Sequence, residues 1–228
     1  MIMKLEKENW NKKWQKEWER YVKIWNNSYS WKRMREEISK RIVKKQKMKI
    51  FEFGCGGGKW LEWFKRAYSA DVYGIDNSKV GITLTERLVK GHFILGDVRK
   101  KTKFKDNNFD IVFAFGLLEH FDDDGIRKIT DEMYRISKEW IIISTPNRSK
   151  YSFLTIYERI FGKCKSERAI ELRQFASFFR NKKIKHIEII PCGLFIPYLR
   201  NNKFLSKLNL KFLESFKTSD NIIMFVKK

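Results

Sequence analysis

Between Lys49 and Asn147 short apolar runs alternate with segments of helical periodicity, and that alternation restricts the fold more than any other feature of the chain. The apolar runs are Ile50–Phe53, Val72–Ile75, His92–Leu95, Asp110–Phe115 and Trp140–Ser144, with helices predicted between them over about 58–68, 78–90 and 124–138. Strands separated by whole helices pair in parallel, and their crossover helices cover the faces of the sheet. Two later candidates, Ile184–Ile190 and Ile222–Val226, raise the count to seven and can pair as an antiparallel hairpin on that sheet. The predicted fold class is therefore α/β: a doubly wound, seven-stranded, mostly parallel, Rossmann-like sheet with helices on both faces and an antiparallel last strand.

Two basic helices are predicted ahead of the sheet, over residues 5–26 and 31–45. In the first, Trp10, Trp14, Trp18, Tyr21 and Trp25 fall within roughly an 80° arc at 100° per residue, with Lys12, Lys16, Arg20 and Lys23 opposite. Three readings of that stripe stay open: a lid docked on the sheet domain, an interfacial helix on a bilayer, or a nucleic-acid stacking surface. Residues 1–47 are set apart as an N-terminal basic helical lid and 48–228 as the main domain, with 147–182 a mainly helical insertion in it.

The formal charge is +22, but it is unevenly placed. Residues 1–49 carry 16 basic and 6 acidic side chains, residues 50–147 carry 15 of each, and residues 148–228 carry 18 and 6. The middle is neutral and the flanks hold the whole excess. With 43% hydrophobic residues the chain is able to fill a core. No apolar run approaches the ~20 residues of a membrane span. The opening segment lacks the apolar stretch of a secretory signal, and Cys55, Cys164 and Cys192 form neither a disulfide framework nor a zinc spacing. A cytoplasmic protein is expected, with a peripheral membrane position left open.

The sharpest motif is Phe51-Glu52-Phe53-Gly54-Cys55-Gly56-Gly57-Gly58-Lys59-Trp60, between the first strand and the first crossover helix. Backbone N–H groups and a helix N-terminus can approach a ligand closely there. A dinucleotide fingerprint starting at Gly54 needs glycine where Lys59 stands. A phosphate loop ending at Lys59 needs glycine at Phe53 and Ser or Thr at Trp60. What remains is acid-x-G-x-G-x-G, met by Glu52, Gly54, Gly56 and Gly58.

This segment resembles motif I of the class I S-adenosylmethionine-dependent methyltransferases, in particular the broad ubiquinone-biosynthesis-type (methyltransferase type 11) subgroup. The resemblance covers about residues 48–147 and continues in order through Val72–Ser78, Gly96-Asp97-Val98, Phe104–Phe115 and the exit Ser144-Thr145-Pro146-Asn147. It implies S-adenosyl-L-methionine as cofactor. Glycines at 54 and 56 would let the backbone pass close to the methionyl and ribose parts. Glu52 would anchor the methionyl amino group, and Asp76, at a strand end, would accept from the ribose hydroxyls. Asn77 would lie beside the adenine, Asp97 and the Val98 N–H would read its edge, and Cys55 and Phe115 complete the expected cofactor set.

No catalytic residue is assigned. His120, in Phe115-Gly116-Leu117-Leu118-Glu119-His120, is a weak candidate base, weighed against a structural role in capping or tethering. Metal-assisted relatives carry a further carboxylate where Gly116 stands, so no metal is expected; Asp122-Asp123-Asp124 reads as a helix N-terminal cap. Cys55 reads as small packing. In this family the segments flanking the sheet cover the acceptor. Their apolar and cationic makeup, including Arg148, Arg159, Arg168 and Arg173, suits a small or lipid-like anionic acceptor, with oxygen weakly preferred as the methylated atom. RNA methylation and a non-catalytic or membrane-associated binding protein are the alternatives.

Overall fold

The computed structural model describes residues 7–147, 170, 177–193, 219 and 221–228, with side chains from Trp10 onward. Most of the predicted 147–182 segment, with Arg148, Arg159, Arg168, Arg173 and Cys164, lies outside the described residues. Two helices lead, α1 (Lys7–Asn27) and α2 (Tyr29–Arg41), followed by β1 (Lys49–Phe53), α3 (Lys59–Tyr68), β2 (Asp71–Asp76), α4 (Lys79–Leu88), β3 (His92–Leu95) and β4 (Phe109–Phe115). A 3₁₀ turn at Leu118–His120 precedes α5 (Asp123–Ile136), β5 (Ser137–Pro146), β6 (His186–Cys192) and β7 (Asn221–Lys227).

The seven strands form one sheet in the order β3-β2-β1-β4-β5-β7-β6. Strands β1 to β5 pair in parallel, and β7 is antiparallel to both β5 and β6. The expected late antiparallel pair is present, with its second strand inserted beside β5 rather than at the rim. Alternate residues of the strands feed two cores. One contains Ile50, Ile111, Phe113 and Phe225 against Met34 and Ile38 of α2, Leu61 and Phe64 of α3 and Ile82 of α4. The other contains Phe51, Phe53, Val112 and Ile143 against Ile126, Ile129 and Met133 of α5.

Local chemistry fixes the element ends. Ser28, Ser78 and Asp122 cap α2, α4 and α5, each accepting from the backbone N–H three residues on. The acidic triplet therefore starts a helix, as its composition suggested. The second helix was expected to reach 45 but ends at Arg41, where Ile42 turns to extended backbone. It is locked to the far edge of the sheet by Arg41, which forms paired hydrogen bonds of 2.7 Å each to Glu188 of β6 and bonds Glu37 at 2.6 Å.

Strand order reverses direction between β1 and β4. In sheets of this kind ligands bind outside the carboxyl ends of the strands at that switch point, which here lies between Gly54 and Phe115.

Candidate active site

The glycine loop leaves β1 through three residues of positive φ: Gly54 (71°), Gly56 (47°) and Gly58 (77°). Its backbone is tied down from β2 and α4. Gly54 and Cys55 N–H both donate to the Ile75 carbonyl, at 2.8 and 3.1 Å. Gly56 N–H donates to one oxygen of Asp76 at 2.8 Å, and Ser78 N–H donates to the other at 2.8 Å. The Thr85 hydroxyl donates to the Gly56 carbonyl at 2.6 Å. Asp76 therefore has both oxygens engaged by backbone while burial pushes its carboxyl above the ordinary range, an effect these donors only partly offset.

Glu52, next along the wall, is 2% exposed. Its Oε2 has no hydrogen-bond partner among the described residues. Burial, and then the charge of Asp76, push this carboxyl well above its usual range. Tyr21 of α1 meets the same field: burial, then the charge of Glu52, raise its phenol. Two buried acids thus share one wall, the charge of Asp76 opposing the ionisation of Glu52, whose Oε2 has no hydrogen-bond partner among the described residues. A cationic amine at Glu52 and a pair of hydroxyls at Asp76 suit that wall, and S-adenosylmethionine carries both. Cys55 lies in the same field. Burial, then Asp76 and Glu52, push its thiol well up, which disfavours the nucleophilic thiolate.

These groups line a cavity of about 990 Å³. Eight of the nine sequence-predicted cofactor residues border it: Glu52, Gly54, Cys55, Asp76, Asn77, Asp97, Val98 and Phe115. Gly56 does not. A Cβ added there would lie 2.1 Å from the Trp14 ring, and one on Gly57 would lie 2.1 Å from Trp18. The tryptophan stripe of α1 is thus docked on the glycine loop, and the missing side chains make room for indoles. Asn11 secures the same helix: its side-chain carbonyl accepts from the Ser78 hydroxyl at 2.7 Å and the Val80 N–H at 3.2 Å.

Asp97 is held by a two-pronged contact from Arg99, at 2.9 Å (Nε–Oδ1) and 2.6 Å (Nη2–Oδ2). That guanidinium holds the Asp97 carboxyl below its ordinary range and keeps it an acceptor. His120 stands on the opposite wall, in the turn after β4, with the Trp10 ring edge-on at 5.0 Å. The remaining wall comes from α1 and α2 and includes Lys13, Arg20, Tyr21 and Trp31. No group of three His, Cys, Asp or Glu among the described residues is arranged to hold a metal. Sequence reasoning missed Asn11, Tyr21, Thr85 and Arg99. A threonine on the buried face of α4 was a signal for Thr85; the other three act across long sequence separations or through a turn with no motif of its own.

Residues 50–139 match a family model described as "Methyltransferase domain". No curated protein sequence matches the chain. Among solved structures, a S-adenosylmethionine-dependent methyltransferase and possible histamine N-methyltransferase of Thermotoga maritima aligns with a TM-score of 0.69 at 16% identity, over 96% of this chain and 98% of that one. A S-adenosylmethionine-dependent methyltransferase of Archaeoglobus fulgidus gives 0.65 at 16% identity, over 92% and 99%. A phosphoethanolamine N-methyltransferase of Haemonchus contortus, in complex with phosphomonomethylethanolamine and S-adenosylhomocysteine, gives 0.67 at 16% over 97% of this chain and 59% of that one. At such identities the structures share the fold. Residues 50–139 thus match a methyltransferase-domain model, and the seven-stranded sheet around them has the fold of these solved methyltransferases.

Proposed function

We propose that the chain moves the methyl group of S-adenosylmethionine onto an oxygen of a small or lipid-like anionic acceptor. The observation that carries this reading is that one cavity joins the acidic cofactor cradle to a wall of cations and aromatics, with Lys13, Arg20 and Lys100 beside Trp10 and Trp31. The bound cofactor supplies a methyl group activated by a sulfonium sulfur. Glu52 receives its amino group, Asp76 its ribose hydroxyls, and Asp97, kept ionised by Arg99, accepts from the adenine amine. Phe115 and Trp10 keep water from the reacting centre, so that positioning and desolvation carry most of the rate. Lys13 and Arg20 draw the acceptor's negative group to the mouth. His120 takes the proton that the acceptor oxygen loses as its lone pair forms the new C–O bond.

The test is transfer of label from methyl-labelled cofactor into a cell extract, separated into small-molecule, lipid, RNA and protein fractions. Label in the first two, as base-labile ester or stable ether, supports the reading. Label confined to RNA overturns the acceptor class, and no transfer to any fraction overturns the activity.

A further inference from the structure

A second cleft lies on the other side of the lid helix, between α1 and α4, with a volume of about 690 Å³. Its apolar wall is Trp14 and Trp18, whose rings lie 6.2 Å apart and tilted by 59°. Lys16 of α1 and Lys79 and Arg87 of α4 stand around it, all exposed. None of the three makes an ion pair with a described residue, and Glu19 is the one acid on the lining. The cleft is separate from the methyl-transfer cavity, because Trp14 borders both and its ring fills the gap above Gly56. Its end is closed by Asn11, fixed to Ser78 and Val80.

We propose that this cleft binds a nucleotide, with the base against Trp18 and the phosphate between Lys79, Arg87 and Lys16. Three uncompensated cations around an aromatic wall need a ligand that is both anionic and flat. A bare phosphate leaves the indoles unused, and an acidic peptide offers no planar group of its own to stack. Aromatic platforms flanked by Lys and Arg bind nucleotide units with little sequence preference, because every base has a π-face and the cations need only the phosphate. The same chemistry is offered by a free nucleotide and by one unit of single-stranded RNA. The assignment does not depend on the acceptor proposed above.

The probes are uridine monophosphate by equilibrium dialysis and labelled hexauridylate by anisotropy, each with and without S-adenosylhomocysteine. A pyrimidine is chosen so that the adenine-reading side of the other cavity does not capture it. Each ligand is expected to bind as well with S-adenosylhomocysteine as without it, and about tenfold more weakly to the double variant Lys79→Glu, Arg87→Glu, whose positions are exposed and whose melting temperature reports folding. Hexauridylate binding much tighter than the monophosphate, with a steep loss in salt, assigns the site to RNA; similar affinities assign it to the free nucleotide. Displacement of the monophosphate by S-adenosylhomocysteine, equal binding of inorganic phosphate, unchanged binding by the folded double variant, or no binding of either probe each overturns the proposal. Failure of S-adenosylhomocysteine to bind in calorimetry is a failure of the cofactor reading instead, and leaves the charge-reversal comparison intact.

Discussion

At the scale of single residues the site turns on Glu52. Its carboxyl is raised in the ligand-free site, first by burial and then by Asp76, and so tends to hold a proton. A cationic amine brought beside it favours the ionised form and lowers that raised value, so binding expels a proton. The sign follows: cofactor affinity rises with pH from the ordinary carboxylate range up to the raised value of Glu52, with a slope of at most about one decade per pH unit for one proton. It falls again at higher pH, where the ligand's amino group loses its charge. Calorimetry with S-adenosylhomocysteine in buffers of different ionisation heat reads both the affinity and the released proton. Glu52→Gln is expected to bind more weakly and to flatten the acid limb; an unchanged acid limb in the variant would remove Glu52 from the amine site. Glu52, Gly54, Asp76 and Asp97 were singled out in the sequence because their strand-end motifs resemble those of the methyltransferase family, and the fold gathers them around one cavity. Tyr21 and Arg99 were not. Tyr21 comes near Glu52 only once α1 folds back across the 30 residues between them, and Arg99 stands in a basic run whose spacing does not mark out the one guanidinium that holds Asp97.

At the scale of elements, the question is what α1 does with its aromatic face. The 100° periodicity predicted the stripe, and the helix spans Lys7–Asn27, close to the range expected. Periodicity alone left its partner open, because docking, bilayer insertion and base stacking all require the same amphipathic pattern. The structure uses Trp14, Trp18 and Trp25 for docking, against Gly56, Gly57 and Trp60. Strand order was similarly underdetermined. The apolar runs of β6 and β7 identified strands, but a run of isoleucines carries no mark saying that β7 enters beside β5. The docking has a direct test in Gly56→Ala. The residue sits at φ 47°, which strains any side chain, and the new methyl group would overlap the Trp14 ring. Strain and displacement of this kind cost about 1–3 kcal/mol. Limited proteolysis should therefore cut within α1 faster than in the parent protein, while the far end of the sheet resists as before. Equal cleavage rates would mean that Trp14 does not rest on the loop in solution.

At the scale of the whole molecule, part of the +22 charge and the tryptophan stripe of α1 lie on the same N-terminal flank, where docking, a bilayer and a nucleic acid were all open readings. The fold separates them. Trp14 and Trp18 pack over Gly56 and Gly57 of the glycine loop, while Lys12, Lys16, Arg20 and Lys23 of α1 are all exposed. Among the described residues no helix is long and apolar enough to cross a membrane. The attraction expected between the exposed cations of α1 and an anionic bilayer is Coulombic and falls with the Debye length, about 10 Å at 0.1 M salt and about 3 Å at 1 M. Insertion of tryptophans would instead persist in salt, because burial of apolar area hardly depends on ionic strength. Sedimentation with vesicles of mixed anionic and neutral lipid should show retention at low salt that disappears entirely by about 1 M. Gly56→Ala extends the same measurement: freeing the stripe from the loop should create a salt-resistant bound fraction that the parent lacks. A salt-resistant fraction already present in the parent protein would show that α1 leaves the sheet domain for the membrane, and would turn the lid into an anchor.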